Sequence, residues 1–105
     1  MAHQEYHEDA EALPAPTRDM HRALQSLRAE LDAVDSYSQR FEACTDPELK
    51  RVLAHLREAK KEHAAMLMEW IRRRDVPFAT RMKDSLFKAG PITAQYRDDE
   101  DTPAE

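Results

Sequence analysis

Three ionisable residues, Glu30, Lys60 and His63, occupy positions where the surrounding periodicity asks for apolar side chains. Glu30 falls between Leu27 and Val34, and Lys60 and His63 fall between Leu56 and Leu67. A lone carboxylate or ammonium on a buried seam costs several kcal/mol or changes its protonation state, so each needs a partner. Two chemistries would satisfy that need. One is an ion pair of Glu30 with Lys60, supported by His63 or Tyr37. The other is a metal site built on Glu30 and His63. Two ligands from one chain hold a transition metal weakly, so a second copy would have to supply more. The spacing alone leaves both open.

The elements that must position these residues are helices. A first helix is expected from about Thr17 to Ala43, with Thr17 as N-cap after Pro16 and Asp19 in the first turn. Its seam reads Leu27, Glu30, Val34, Tyr37, Phe41, with Leu24, Leu31 and Ser38 beside it, and the alternating 3- and 4-residue steps place these on one face. A capping box, Thr45 with Glu48, and the early Pro47 predict a second helix from about Asp46 to Arg74. Its seam reads Leu49, Leu53, Leu56, Lys60, His63, Leu67, Trp70. In an antiparallel hairpin turning near Thr45, residues equally far from the turn face each other. Glu30 should therefore meet Lys60, with His63 one turn further on and Tyr37 about two turns nearer the hairpin turn. A third, shorter helix is expected over about Pro77 to Ala89, lined by Phe78, Met82, Leu86 and Ala89, with Gly90 as a left-handed C′ residue and Pro91 as a stop. Ile92 to Tyr96 could pack on the hairpin.

The predicted fold class is all-α: an antiparallel two-helix hairpin over residues 17–96, with a short C-terminal helix. Two helices share a single contact line, so the other flank of each seam stays wet. A chain of this size needs oligomerisation or a staple, and Cys44, the single cysteine, cannot form an internal disulfide. Two hairpins packed together would form a four-helix bundle with Leu27, Leu31, Val34, Leu56, Leu67 and Trp70 in the interface core.

Composition bounds the remaining possibilities. With 105 residues, one Gly, six Pro and 35% charged residues, the chain suits helices with charged outer faces. No apolar run is long enough for a membrane span. The acidic start is no secretory signal, and the lone cysteine makes a reducing cytosol the default compartment. Residues 1–16 and 98–105 carry nine acids and no Lys or Arg, while the whole chain is −5. Residues 17–97 therefore hold 16 basic and 12 acidic residues, a net of +4. Disordered acidic tails are expected over 1–16 and 97–105.

Several segments in order resemble the encapsulated ferritins: Glu30-Leu-Asp-Ala-Val-Asp35, Tyr37, Gln39-Arg40, Thr45-Asp-Pro-Glu-Leu49, Leu53-Ala-His55, Lys61-Glu-His-Ala-Ala-Met66, Glu69-Trp70 and Gly90-Pro-Ile-Thr-Ala94. The likeness runs from about Leu24 to Ala94. It implies two-helix subunits that pair into ferritin-like four-helix bundles and assemble into a ring, usually a decamer. It also implies oxidation of Fe(II) to Fe(III) at a di-iron centre shared by two subunits, with the iron handed to an encapsulin shell. By position, the ligands implied are Glu30 and a Glu-x-x-His pair on the second helix. The His of that pair is His63, and its Glu position holds Lys60. Tyr37 matches the aromatic beside the centre. The acidic residues that gather iron fall on Ala29, which cannot bind it, and on Asp32, which can. A tryptophan common before the tyrosine is Ser36.

The departure at Lys60 changes the charge balance. Two subunits of an intact centre would contribute four carboxylates and two imidazoles, about −4, which two Fe(II) ions offset. Here two copies would contribute two Glu30 and two Lys60, about zero. An ammonium has no acceptor to offer a metal, and an incoming Fe(II) would meet like charge worth several kcal/mol at an effective dielectric of about 20. Glu62 lies about 100° round the helix from His63, and Glu58 about 140°, so neither shares the seam. The expectation is a ferroxidase-family oligomer whose centre is impaired or silent. An active ferroxidase with remodelled ligands is the alternative, and a metal-free structural or interaction module is a second one.

Other features read as structural. Arg72-Arg-Arg-Asp75 suits a solvated helix end facing the C-terminal dipole rather than nucleic acid. His21 and His55 lie off the main seams with no assigned role. His3, His7, Glu5 and Glu8 sit in the expected tail. The end of the chain, Asp98 to Glu105, is acidic and lacks the apolar docking peptide usual in encapsulin cargo.

Overall fold

The computed structural model describes residues 6–94, and the calls for disorder over 1–5 and 97–105 fall outside those residues, as do His3, Glu5 and the acids of 98–105. In order come a 3-10 turn (Ala10–Ala12), α1 (Ala15–Ala43), α2 (Pro47–Arg74) and α3 (Val76–Ser85). The described residues contain no strand, which agrees with the all-α expectation. The chain divides into two compact units, Met1–Ile71 and Arg72–Glu105.

Both long helices match the expected periodicity, but their ends shift. α1 begins at Ala15, two residues before the anticipated Thr17, and no side chain caps it. Prolines 14 and 16 bring a preset φ, and a missing N–H costs nothing in a first turn, so they start the helix early. Asp19 bonds Arg22 at 2.6 Å instead of the helix start. Part of the N-terminal segment ahead of α1 makes contacts with that helix. Arg18 donates to the Ala10 carbonyl at 3.1 Å, and the Tyr6 ring lies 4.5 Å from that of His21, whose buried Nε2 has no hydrogen-bond partner among the described residues.

At the start of α2 the cap is Asp46, not Thr45: its Oδ2 accepts the Leu49 N–H at 2.8 Å, and Pro47 is the first helical residue. A carboxylate gains from the positive end of the helix dipole as a hydroxyl does not. Residues 44–46 alone then join the helices.

On α1 the expected seam holds. Leu27, Glu30, Val34, Tyr37 and Phe41 are half-buried, and Ala23 extends the line as a buried residue. On α2 the seam keeps Leu53, Lys60 and Leu67 of the anticipated line but its deepest positions move one residue on, to Ala64 and Ile71. Its buried residues are Leu53, Ala64 and Ile71, and Lys60 and Leu67 lie half-buried between them. On the single hairpin Leu56 is 36% exposed and Trp70 is half-buried beside the wholly buried Ile71. Small residues at 23 and 64 permit close backbone approach, and larger apolar side chains are displaced to the edges. Leu24, Leu31, Leu49, Val52, Leu56 and Met66 are each at least 36% exposed, so the hairpin leaves much of its apolar surface open.

In the second unit, Asp75 caps α3 by accepting the Phe78 N–H at 2.9 Å. The helix stops at Ser85, four residues short of the expected Ala89. Leu86 turns extended (φ −91°, ψ 146°) and Phe87 takes φ +59°. Leu86 and Phe87 are 50% and 104% exposed, so no packing supports another turn of a helix this short. Gly90 does adopt a left-handed φ of +89°, but in the loop rather than as the helix C′ residue.

Candidate metal centre and its replacement

The antiparallel hairpin brings Glu30 from the middle of α1 against Lys60 and His63, one turn apart on α2. Glu30 Oε1 lies 3.5 Å from Lys60 Nζ and 3.3 Å from His63 Nδ1. The three side chains are 20%, 32% and 43% exposed, respectively. One carboxylate oxygen thus faces both an ammonium and an imidazole. The lysine contact lies at the long end for a charge-assisted hydrogen bond and acts mainly through charge. If Nδ1 carries the imidazole proton, it donates to Glu30.

These residues do not fit a metal-binding set within one chain. Among the described residues, no three His, Cys, Asp or Glu side chains come together in a cluster able to hold a metal ion. Glu30 and His63 supply two donors, and Lys60 directs its positive end at the carboxylate that would have to bind. Neither neighbouring acid repairs the set. Glu58 points outward and accepts from Lys61 at 3.0 Å and Arg57 at 3.1 Å. The Lys61 hydrogen bond, with Arg57 second, holds its carboxyl below the usual carboxylate range. Glu62 is exposed, as are Asp32 and Ala29 on α1.

Tyr37 is half-buried, with the Arg40 guanidinium 5.1 Å from its ring centre. His55 is exposed and, with Glu48, Arg51, Val52 and Leu56, lines a surface pocket of about 290 Å³ that includes none of Glu30, Lys60 or His63. His21 belongs to the packing of the N-terminal segment. The Arg72–Arg74 run closes α2, as expected.

A second ionic feature escaped the periodicity. Lys50 Nζ donates to the Phe41 carbonyl at 2.6 Å and sits 3.9 Å from the Phe41 ring centre, while Arg57 lies 4.9 Å from the same ring. Lys50 thus satisfies a carbonyl that the end of α1 leaves without a helical partner, and two cations flank the aromatic ring. The signal was present in the sequence, since residues 41 and 50 lie almost equally far from the turn, as do 30 and 60.

Comparison with known proteins fits this geometry. A model of the EncFtn-like family matches residues 5–89. An encapsulated ferritin-like protein of Rhodospirillum rubrum is 52% identical over 88 residues, covering 84% of this chain and 63% of that protein, so the chain spans somewhat under two thirds of that relative. A ferritin-like protein of Thermotoga maritima is 40% identical over 89 residues, covering 85% and 78%, respectively. An encapsulin nanocompartment cargo protein of Myxococcus xanthus is 33% identical over 69 residues, covering 66% of this chain and 53% of that one. A crystal structure of a Nitrosomonas europaea protein superposes with a TM-score of 0.81 at 58% identity, covering 84% of this chain and 97% of that one. An all-helical hairpin with Glu30 set against His63, matched along most of its length by that family, makes this chain a member of the EncFtn-like family.

Proposed function

We propose that this chain is a ferritin-like homo-oligomer of iron-handling descent whose di-iron ferroxidase centre is impaired or silent. The observation that carries the reading is the Lys60 ammonium 3.5 Å from the Glu30 carboxylate. Lys60 stands where relatives are expected to place a ligand carboxylate, and it neutralises the one acid that remains. In a two-fold pairing, two Glu30 and two Lys60 would cancel, leaving no net negative charge among them to draw in two Fe(II) ions.

The exposed apolar edge supports the oligomer. Covering a half-exposed Leu or Val gains about 1 kcal/mol, so burying Leu24, Leu31, Leu49, Val52 and Leu56 on two copies would contribute about 10 kcal/mol. That is comparable with the cost of associating two chains. A four-helix bundle, repeated into a ring, is the assembly that would cover this edge. The relative named as an encapsulin nanocompartment cargo protein supports an encapsulin shell as partner and its nanocompartment as location. No described helix is long and apolar enough to cross a membrane.

The deciding experiment is metal content of the purified oligomer after anaerobic Fe(II) loading, followed by oxidation kinetics. Substoichiometric iron and no turnover are expected. Two irons per subunit pair with Fe(II) turnover would overturn the reading and favour its rival, an active ferroxidase with remodelled ligands. The rival draws on Glu30 and His63 already lying 3.3 Å apart.

A further inference from the structure

Lys60 takes away the charge that a divalent ion needs, but donor atoms of another kind remain on the same helix. His63-Ala-Ala-Met66 sets an imidazole and a thioether three residues apart. Residues so spaced are neighbours on a helix surface, with Cβ atoms about 5–6 Å apart. Both side chains are open, His63 at 43% exposed and Met66 at 63%. They continue the outer stripe of α2, in which Leu56, Ala59, His63 and Met66 follow one another at 3- and 4-residue steps. A methionine ordinarily fills irregular gaps in a core. Met66 does not, since it is more exposed than either Met20 or Met68.

The Glu30 contact decides which imidazole nitrogen is free. Glu30 Oε1 lies 3.3 Å from His63 Nδ1. A carboxylate at that nitrogen holds the ring proton there and leaves the Nε2 lone pair, on the far side of the ring, as a donor to a metal. Glu30 then orients the imidazole without itself touching the ion. Softness selects which ion this is. Thioether sulfur favours Cu(I), and imidazole binds copper well. A monovalent ion also meets half the repulsion from Lys60 that a divalent ion meets, and Glu30, 3.5 Å from Lys60 Nζ, offsets that charge.

We propose that His63 and Met66 form a Cu(I) site, binding through the imidazole Nε2 and the thioether Sδ, with Glu30 as the residue that positions the imidazole. A second copy packed on the same stripe would bring the same two donors, but the site needs only one chain to begin.

The test uses the full-length chain carrying C44S, because a thiol would itself capture Cu(I). Cu(I) is titrated under anaerobic, reducing conditions in competition with the chelator bicinchoninate, and isotope-labelled methionine methyl groups are followed by NMR. The protein should withdraw Cu(I) from the chelator, with the Met66 methyl resonance shifting and that of Met68, about 200° round the helix, staying in place. M66L and H63F should each weaken binding by about tenfold or more, and M68L should not. E30A should weaken it about tenfold, and E30Q, which keeps an acceptor oxygen, should recover most of that loss. No withdrawal of Cu(I), a Met66 methyl that stays in place while Cu(I) binds, or an M66L protein that binds as tightly as C44S alone would overturn the proposal. Fe(II) loading of the same preparation keeps this inference apart from the silent di-iron centre. Two irons per subunit pair, alongside Cu(I) bound at Met66, would sink that reading and leave the copper site standing.

Discussion

Glu30 and Lys60 lie equally far from the hairpin turn on opposite helices, and their charged ends meet at 3.5 Å with His63 alongside. Restoring an acid at position 60 should therefore create a metal site. Lys60→Glu would place two carboxylates and one imidazole from each chain at the same level, and a two-fold pair would supply about −4. Iron content after Fe(II) loading should rise from substoichiometric to about two per subunit pair. No rise in an intact K60E oligomer would mean that position 60 does not govern the site.

The pair should be worth little to stability. Both side chains are partly exposed, so Glu30→Gln should cost about 0.5–1 kcal/mol in urea unfolding at low salt, and less at 1 M salt. A loss of several kcal/mol would indicate a far drier environment than the hairpin provides.

The apolar edge gives a third expectation. Leu31→Asp or Leu56→Asp should split the oligomer while keeping helical circular dichroism, because both side chains are already exposed on a single hairpin (46% and 36%). Ile71→Ala behaves differently. That side chain is wholly buried, so its truncation should cost about 2–5 kcal/mol. Light scattering and thermal melts separate the two effects, and an L31D oligomer of unchanged mass would remove the edge from the interface.

At the turn, Asp46→Ala should cost about 1 kcal/mol, while Thr45→Ala should be nearly neutral, since the Leu49 N–H is taken by Asp46. The reverse order in chemical denaturation would restore the capping box expected from the sequence.

The first seam and the level of the Glu30–Lys60 contact were legible in the sequence because large apolar residues recur at 3- and 4-residue steps along α1 and the turn is short. The second seam was legible only to within one residue. α2 carries two adjacent stripes, and the outer one, with Leu49, Val52, Leu56 and Met66, is as apolar as the inner, so hydrophobicity alone could not rank them. The inner stripe is marked by Ala64 and Ile71, and an alanine says nothing by itself about which side it faces. The Lys50–Phe41 contact and the packing of Tyr6 on His21 pair a polar group with an aromatic ring, and no periodicity scores such a pair. For the candidate site the residues were legible from the resemblance, but their distances and the outward turn of Glu58 needed the structure.

The three-residue connection at 44–46 has a consequence for every change of length beside it. One residue inserted inside α2, between its cap and Lys60, would turn Lys60 and His63 by about 100° about the helix axis and carry them away from Glu30 together, whereas one inserted at 44–46 would lengthen only the bend. The run from the cap to Lys60 thus acts as a gauge that keeps acid, amine and imidazole on one level. In this chain, point changes at 30, 60 and 63 alter the chemistry of that level, whereas a length change within α2 ahead of Lys60 would separate its members.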